Sequence, residues 1–274
     1  MSARFLVYKC VFSDYDVILR PLKTSKACDY VVVTDNPNMS APGWRKHIVS
    51  VMPFSSPKEA NLFYRSTFHE HLSSYEASLY LDGNIQICSD ITSLFETFIS
   101  YGTALGLQVH PSRISVKEEI EACVNFSKLK SVPDAWAELD HYRSLGFLDD
   151  VGMFETGIII KNHSVKGLDD AMNMWYRIFR EFGQRDQISL PYIIWKTGVS
   201  YSKLNYGLRD PEPVSFFLYP HWKSRSILDW LNVYIRAHRY NGGIWPTINI
   251  VWDWFQEIRG KVSFTKSLRK LIKG

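Results

Sequence analysis

The sequence predicts an α/β domain whose mostly parallel sheet is flanked by helices, followed by a helical, basic C-terminal segment. Strand-like and helix-like segments alternate through the first 200 residues, which is the pattern of a parallel sheet covered by helices. The composition, 46% hydrophobic and 22% charged, lies close to the globular average. A chain of 274 residues is long enough for one main domain with an appendage.

Each element is predicted from its local pattern. Short apolar runs such as YVVVT at 30–34 predict buried strands, and Pro57 at a first helical position begins an amphipathic helix. Asp90 is placed to cap a helix, and the helix over 185–195 is predicted despite Pro191. The predicted strands are 4–12, 30–34, 77–81, 106–109, 154–161 and 215–219, and the predicted helices are 57–72, 90–101, 117–129, 134–145, 168–182 and 185–195.

Composition and motifs exclude several classes of protein. No apolar run approaches the ~20 residues that span a bilayer. Residues 1–12 predict a first core strand rather than a signal peptide, so we expect a cytoplasmic protein. The four cysteines are scattered without a CxxC pair, which predicts reduced core residues rather than a zinc ribbon or disulfides. GxSxG, GxGxxG and P-loop motifs are lacking, so a hydrolase, a Rossmann dehydrogenase and a Walker-type ATPase are not predicted.

The C-terminal segment differs in charge from the rest of the chain. Residues 221–274 carry a net charge of +7 and residues 1–220 a net charge of −3, and five of the nine tryptophans lie in the C-terminal segment. Aromatic and basic residues together favour an anionic membrane surface or a nucleic acid as partner. A solvated helical face over a Trp-rich core would have the same composition. Because residues 1–220 offer no second basic face, we rank a nucleic-acid binder last and expect no nucleic-acid partner.

A short acidic turn, Asp82-Gly83-Asn84, follows the predicted strand 77–81 and is called the DGN turn below. In open α/β sheets, ligands bind at the carboxyl ends of strands, where this turn stands. A hard cation that bridges two phosphates needs oxygen ligands, which Asp82 and Asn84 supply. Ordinary turn chemistry explains the same three residues, so the motif alone leaves both interpretations open.

Four stretches within residues 61–196, about half of the chain, carry a family resemblance. They are NLFYRSTFHEHLSSYEASLYLDGNIQI, ALGLQVHPSRISVKEEIEACV, GFLDDVGMFETGIIIKNHS and MWYRIFREFGQRDQISLPYIIWK. In order and approximate spacing they resemble a GT-A-type glycosyltransferase-like family found in bacterial polysaccharide loci and in plant cell-wall proteins. The DGN turn and Arg185-Asp186-Gln187 at the start of a helix are the most specific elements of this resemblance.

The resemblance implies transfer of a sugar from a nucleotide diphosphate donor. It implies that Asp82 and Asn84 hold a divalent cation, Mn²⁺ or Mg²⁺, on the diphosphate, with His221 as a third ligand. Arg65 would face the donor phosphate or ribose, and Lys223 would reach phosphate. Asn84 departs from the commoner second aspartate, and a neutral ligand weakens a metal site, so the need for a metal stays open. An ordinary surface or core histidine is the alternative for His221.

The resemblance also implies roles at the reacting centre. In the retaining enzymes that the chain resembles, an Asp-Gln pair lies by the sugar, so Asp186 would bind donor hydroxyls and Gln187 would lie beneath the anomeric carbon. The helix dipole alone explains an acid at position 186 but not the glutamine that follows. Glu155 would line the acceptor side, and if the reaction inverts, Glu155 or Asp186 is the candidate base. His110 follows a strand, where it contacts donor or acceptor or is purely structural.

We therefore predict a GT-A-like nucleotide-sugar-binding and catalytic domain over 1–220 and a helical basic segment over 221–274. The predicted activity is glycosyl transfer, with retention favoured, to a saccharide or lipid-linked acceptor in the assembly of a surface polysaccharide such as lipopolysaccharide. The C-terminal segment would dock the enzyme peripherally on the inner face of an anionic membrane. A non-catalytic saccharide-binding or scaffold protein with the same fold is the alternative from another class, and the asparagine of the DGN turn supports it.

Overall fold

The computed structural model describes residues 3–67, 74–183, 185–208, 215–219, 221, 226–239 and 242–272. It divides into two compact units, residues 1–218 and residues 219–274. The division falls close to position 221, where the sequence predicts the C-terminal segment to begin. The assignment of a catalytic domain to one unit and of a docking segment to the other stays a prediction.

A mixed sheet forms the centre of the first unit. The described strands are β1 (Phe5–Cys10), β2 (Cys28–Thr34), β3 (Arg45–Ile48), β4 (Ala77–Leu81), β5 (Ile85–Ile87), β6 (Leu105–Val109), β7 (Phe154–Asn162), β8 (Tyr201–Leu204) and β9 (Phe216–Leu218). Seven of them form one sheet in the order β3-β2-β1-β4-β7-β6-β8, and β5 pairs with β9. Within the seven-stranded sheet, β7 alone runs antiparallel to its neighbours. The predicted mostly parallel sheet is confirmed.

Helices cover both faces of this sheet. The described helices are α1 (Pro57–Thr67), α2 (Thr92–Ser100), α3 (Val116–Asn125), α4 (Val132–Ser144), α5 (Leu168–Phe182), α6 (Asp186–Thr197), α7 (Ile227–Ala237) and α8 (Trp245–Ile272). β1 and β4 are buried at every residue, and apart from Lys9 and Ser78 they consist of apolar residues rather than of an alternating pattern, as strands covered on both faces do. One face of the sheet packs against α1 and α3 to α6, and the other packs against α2 and the β5–β9 pair.

A buried lysine fixes the C-terminal end of α1 to the sheet. Lys161 on β7 is fully buried, and its Nζ donates to the carbonyls of Arg65 and Ser66 and to the Tyr8 hydroxyl, the last at 2.9 Å. Tyr8 on β1 donates in turn to the Arg65 carbonyl at 2.9 Å. A cation at the C-terminus of a helix also interacts favourably with the helix dipole. The central sheet therefore positions the last turn of α1 and, with it, Arg65.

Three short strands, β3, β5 and β8, have no counterpart among the predicted elements. β3 is exposed at every residue, β8 is mostly half-buried, and both lie at edges of the sheet. An edge strand is covered on fewer sides, so it needs no apolar run and shows no clear periodicity. β5 has three residues, too few for a periodic signal. The helix predicted over 57–72 is described from Pro57 to Thr67, and residues 68–73 lie outside the described residues.

The second unit consists, in its described part, mainly of α7 and α8, which pack against each other. Asn249 Nδ2 donates to the Ile235 carbonyl at 3.0 Å, and Trp252 Nε1 donates to Asn232 Oδ1 at 3.0 Å. The helical character that the sequence predicts for this segment is therefore present. Within the described ranges, no helix combines the length and hydropathy needed to cross a membrane.

Candidate active site

The site residues predicted in the first unit meet at one edge of the sheet. β1, β4 and β6 are parallel, so their carboxyl ends reach the same edge, and β7 begins there. Asp82 follows β4, and its amide donates to the Gly157 carbonyl at 2.8 Å; His110 follows β6, and its amide donates to the Met153 carbonyl at 2.9 Å. Glu155 lies on β7 between these two contacts. This is the edge at which α/β sheets bind ligands.

Arg65 and Asp186 form the central contact of the site. Arg65 Nη2 lies 2.7 Å from Asp186 Oδ2, and the two side chains are only 8% and 13% exposed. Thr156 Oγ1 donates to the same Asp186 oxygen at 2.7 Å. The rings of Tyr80 and Trp175 lie 5.4 and 5.1 Å from the guanidinium carbon of Arg65, within the range of cation–π attraction. Two residues that the sequence predicts separately are thus in direct contact.

Neighbouring cations keep the Asp186 carboxyl ionised. Burial alone would raise the pKa of Asp186, but the charges of Arg65 and Arg185, the Thr156 hydroxyl and the charge of Lys58 lower this pKa to about 2. Burial alone would likewise lower the pKa of Arg65, but Asp186 keeps it above its usual value. Asp186 is therefore an anion near pH 7, able to accept hydrogen bonds from hydroxyl groups.

A buried lysine supports the DGN turn. Lys9, within β1, is fully buried, and its Nζ donates to the carbonyl of Gly83 at 2.8 Å and to that of Ile85. Burial lowers the pKa of Lys9 to about 7, although Asp16 and Asp82 act in the opposite direction. A Cβ at position 83 would lie 2.7 Å from Asp16 Oδ2 and 2.9 Å from Asp16 Cβ, so the close approach favours glycine. Lys9 was missed from the sequence, where a lysine inside the apolar run FLVYKC is the signal that identifies it.

The DGN turn offers oxygen ligands for a hard cation. Tyr80 Oη donates to Asp82 Oδ1 at 2.8 Å, and Asn84 is 4% exposed. Among the described residues, no three His, Cys, Asp or Glu side chains lie close enough to hold a metal ion. A carboxylate and an amide oxygen still fit Mg²⁺ or Mn²⁺, because Mg²⁺ in such sites takes further ligands from water and substrate phosphates. His221 belongs to the second unit and Lys223 lies outside the described residues, so their roles stay predictions.

A chain of polar contacts holds Gln187 in place. Gln187 Nε2 donates to the Phe154 carbonyl at 3.2 Å, and Arg185 donates to Gln187 Oε1. Arg185 Nε lies 3.5 Å from Glu119 Oε1, and Arg113 pairs with the other oxygen of Glu119. Glu119 is 1% exposed, so the two arginines compensate a buried charge. The sequence identified Gln187 but not Glu119, because an acidic residue in the first turn of a helix is ordinary.

Glu155 and His110 lie at the same edge in different surroundings. Glu155 is half-buried and lies opposite Gln108 in the pairing of β6 with β7. His110 is 7% exposed, and its Nδ1 accepts from the amides of Ser112 and Arg113 at 3.2 and 3.0 Å. An accepting Nδ1 places the proton of a neutral ring on Nε2. His110 thus holds the turn after β6, and its contact with a donor or acceptor stays a prediction.

The chain is similar to known proteins over most of its length. A family model described as "TOD1/MUCI70, glycosyltransferase-like domain" matches residues 1–208. The structure of galactosyltransferase LgtC with donor and acceptor sugar analogs is 13% identical, with a TM-score of 0.48, over 87% of this chain and 97% of that one. The apo WbbM bifunctional glycosyltransferase is 14% identical, with a TM-score of 0.47, over 74% of this chain and 39% of that one.

A third solved structure, apo mouse xyloside xylosyltransferase 1, is 11% identical, with a TM-score of 0.43, over 73% of this chain and 84% of that one. The chain spans less than half the length of WbbM. No curated protein matches the chain in sequence.

Proposed function

The chain belongs to the TOD1/MUCI70 glycosyltransferase-like family, and we propose that it moves a sugar from a nucleotide diphosphate donor to a saccharide or lipid-linked acceptor in surface polysaccharide assembly. The observation that carries this proposal is the buried contact between Arg65 and Asp186 at the ligand-binding edge of the sheet. Asp82 and Glu155 lie at the same edge. Side chains that the resemblance connects with one reaction are therefore neighbours in the fold.

Asp186 and Gln187 would bind and orient the donor sugar. Because the pKa of Asp186 is about 2, its carboxylate accepts hydrogen bonds from sugar hydroxyls without taking their protons. Gln187 is held at both ends of its amide, which suits a group that must keep one orientation beneath the anomeric carbon. Arg65 holds the Asp186 carboxylate in place. Arg65 would also contact the donor phosphate or ribose, as the resemblance implies. This arrangement favours retention of the anomeric configuration.

If the reaction inverts instead, Glu155 is a better candidate base than Asp186. A carboxyl group with a pKa of about 2 is a weak base near neutral pH. Glu155 stands between Phe154, whose carbonyl binds Gln187, and Thr156, whose hydroxyl binds Asp186. The backbone on both sides of Glu155 is thus tied to the residues proposed to hold the sugar.

A divalent cation on the donor diphosphate would be held by Asp82 and Asn84 of the DGN turn. When bound, such an ion stabilises negative charge on the leaving nucleoside diphosphate. Lys9 holds two backbone carbonyls of the DGN turn and its continuation. These bonds fix the backbone that carries Asp82 and Asn84, and a binding site needs its ligands held in place in this way.

Product analysis with a panel of nucleotide sugars tests the proposal. We expect at least one donor to release nucleoside diphosphate, faster with Mn²⁺, and the product linkage seen by NMR to keep the donor's anomeric configuration. Gln187→Ala should slow transfer by about 100-fold or more if the amide acts at the anomeric carbon. An inverted linkage would exclude retention and assign the base to Glu155. Saccharide binding without turnover of any donor would indicate the non-catalytic alternative.

We further propose that the second unit docks on an anionic membrane surface. The side of α8 that faces α7 carries Asn249 and Trp252. Ile250, Trp254 and Ile258 follow each other at helical spacing and are 69%, 65% and 40% exposed. The sequence from 261 to 274 adds five lysine and arginine residues. An exposed apolar stripe followed in the sequence by clustered cations is typical of interfacial helices.

Deleting residues 261–274 tests this docking. Each cation contributes on the order of 1 kcal/mol near anionic lipid, so co-sedimentation with phosphatidylglycerol-containing vesicles should fall sharply. Activity on a soluble acceptor analogue should survive the deletion. Vesicles of phosphatidylcholine alone serve as the uncharged control. Undiminished binding of the truncated protein to anionic vesicles would exclude the basic segment as the anchor and, with it, the proposed place at the inner face of the membrane.

A further inference from the structure

A cavity of about 370 Å³ opens at the same edge of the sheet as the candidate active site. Val109, which ends β6, and Phe154, which begins β7, line it together with Lys203 on β8. Its volume lies within the range of about 300–1,000 Å³ that small-ligand sites occupy. We call it the β6–β7 cavity.

Hydrogen bonds to backbone amides hold the walls of the β6–β7 cavity in one shape. Asp149, with a φ of 61°, accepts from the amides of Val116 and Lys117 at 2.7 and 3.0 Å. Glu118 accepts from the amide of Ile114 at 2.8 Å. The segment before β7 is thereby tied to the start of α3. A ligand would meet a preformed site, so little binding free energy would be lost in ordering the walls.

The β6–β7 cavity adjoins the groups proposed to carry out the transfer. Phe154 lines the cavity, and its carbonyl accepts from Gln187 Nε2. Glu155 follows Phe154 in the chain, and His110 follows Val109 of the cavity wall. The cavity lies on the β6–β8 side of the sheet, whereas the DGN turn follows β4. A molecule in the cavity would therefore approach the donor sugar from the side opposite the DGN turn.

The lining combines apolar surface with hydrogen-bonding groups. Ile114 and Val109 are 72% and 39% exposed and offer apolar surface to the C–H face of a sugar ring, while Met153 and Phe154 line the cavity as buried residues. Asp150 and Lys203 offer an acceptor and a donor for sugar hydroxyls. This combination of a few polar groups on an apolar lining is typical of small-molecule sites.

The lining has no excess of positive charge that would favour an anionic ligand. Glu118 and Asp149 accept hydrogen bonds from backbone amides, and Arg113 is paired with a buried glutamate. The two remaining charges, on Asp150 and Lys203, are of opposite sign. A carboxylate on the ligand would therefore find no unbalanced cation to compensate its loss of water. From this geometry we infer that the β6–β7 cavity binds the acceptor, as an uncharged saccharide. The inference rests on the proposed function, since a cavity beside Gln187 is an acceptor site only if transfer takes place.

Methyl NMR tests the cavity without relying on catalysis. Protein labelled at Ile δ1 and Met ε methyl groups is titrated with the methyl glycosides of glucose, galactose, mannose and N-acetylglucosamine, and with methyl glucuronide as the charged comparison. We expect Ile114 and Met153 to shift with at least one neutral glycoside, while Ile18, buried on the other face of the sheet, does not. Absence of these shifts with every neutral glycoside, or stronger binding of the glucuronide, would overturn the inference.

Matched substitutions then connect the cavity with transfer. Ile114→Asp adds a carboxylate at the cavity, and Ile48→Asp makes the same change on the edge strand β3, where Ile48 is 48% exposed. We expect Ile114→Asp to weaken glycoside binding by about tenfold or more and to slow transfer while donor hydrolysis by water is unchanged. Ile48→Asp should change neither. Equal effects of the two substitutions, or loss of donor hydrolysis in Ile114→Asp, would overturn the acceptor assignment.

Failure of the proposed glycosyl transfer and failure of the β6–β7 cavity as the acceptor site would give different results. A wild-type protein that turns over no donor but shows the methyl shifts would refute the proposed function and the acceptor assignment together, while the cavity would remain a saccharide site. A wild-type protein that transfers sugar but shows no shift at Ile114 or Met153 would leave the function standing and overturn the cavity as the acceptor site.

Discussion

Asp186→Asn removes the negative charge from the Arg65 contact while keeping the shape of the side chain. Asparagine can still accept the Thr156 hydroxyl, so the change is mainly electrostatic. The pKa of Asp186 falls from 3.8 to about 2, and at about 1.4 kcal/mol per pKa unit this corresponds to about 2 kcal/mol. Leaving a buried charge without its partner costs about 3–5 kcal/mol. We therefore expect the free energy of unfolding to fall by about 2–4 kcal/mol.

This loss should depend on pH in a definite direction. The pKa of Asp186 is lower in the folded state than in the unfolded state, so its carboxylate stabilises the fold fully above about pH 4. The stabilisation is lost as the pH falls through about 2. The difference between wild type and Asp186→Asn should accordingly be full near pH 7 and should shrink between about pH 4 and pH 2.

Urea unfolding followed by circular dichroism over a series of pH values measures this difference. Asp140→Asn is the matched control, because it makes the same chemical change on α4, where the side chain of Asp140 is 71% exposed beside Arg143. That control should lose less than about 0.5 kcal/mol. Equal losses in the two variants, or a loss in Asp186→Asn that is as large at pH 3 as at pH 7, would refute the reasoning.

Three further substitutions test other parts of the first unit. Asp82→Ala should slow transfer by about 100-fold or more, because it removes a charged group of the proposed site. The circular dichroism spectrum should not change, because Asp82 is half-buried at a strand end. Turnover near that of the wild type would show that Asp82 is not part of the site. Burial raises the pKa of Glu138 from 4.5 to about 7, so its carboxyl destabilises the fold increasingly as the pH rises from about 4.5 to about 7. Glu138→Gln should therefore raise the melting temperature near pH 8 and much less near pH 5, and equal gains at both pH values would contradict this. Glu119→Gln should lower kcat with little change in donor KM, because Glu119 positions Arg185 and, through Arg185, Gln187. A higher donor KM at constant kcat would instead indicate that Glu119 contributes to donor binding.

The parts of the fold that the sequence predicts well are those with a strong local pattern. The helix over 168–182 is found at its predicted bounds, because its apolar residues recur on one face that buries Trp175. The strand over 77–81 is also found as predicted, and it is buried at every residue. The direction of β7 could not be predicted in this way. It depends on pairing with β4 and β6, which are distant in the chain, and no local pattern encodes such pairing.

The candidate site could be predicted as separate residues but not as a set of contacts. Asp82 stands out because a polar group at the end of an apolar strand suggests a site. Gln187 stands out through the resemblance of Arg185-Asp186-Gln187 to a glycosyltransferase motif. The contact of Arg65 with Asp186 joins two elements that only the folded sheet brings together. Glu119 looks like an ordinary residue of a helical first turn, and its importance follows from its burial between two arginines.

The lysine that joins β7 to the end of α1 also has an evolutionary consequence. Because Lys161 and Tyr8 bind the carbonyls of Arg65 and Ser66, the sheet itself fixes the place of Arg65. The first two residues of α1, Pro57 and Lys58, are exposed and take no part in these bonds. Substitutions at this exposed start of α1 should therefore be tolerated without separating the Arg65 guanidinium from its carboxylate. Homologues can diversify in that stretch of sequence while the charged pair is inherited unchanged.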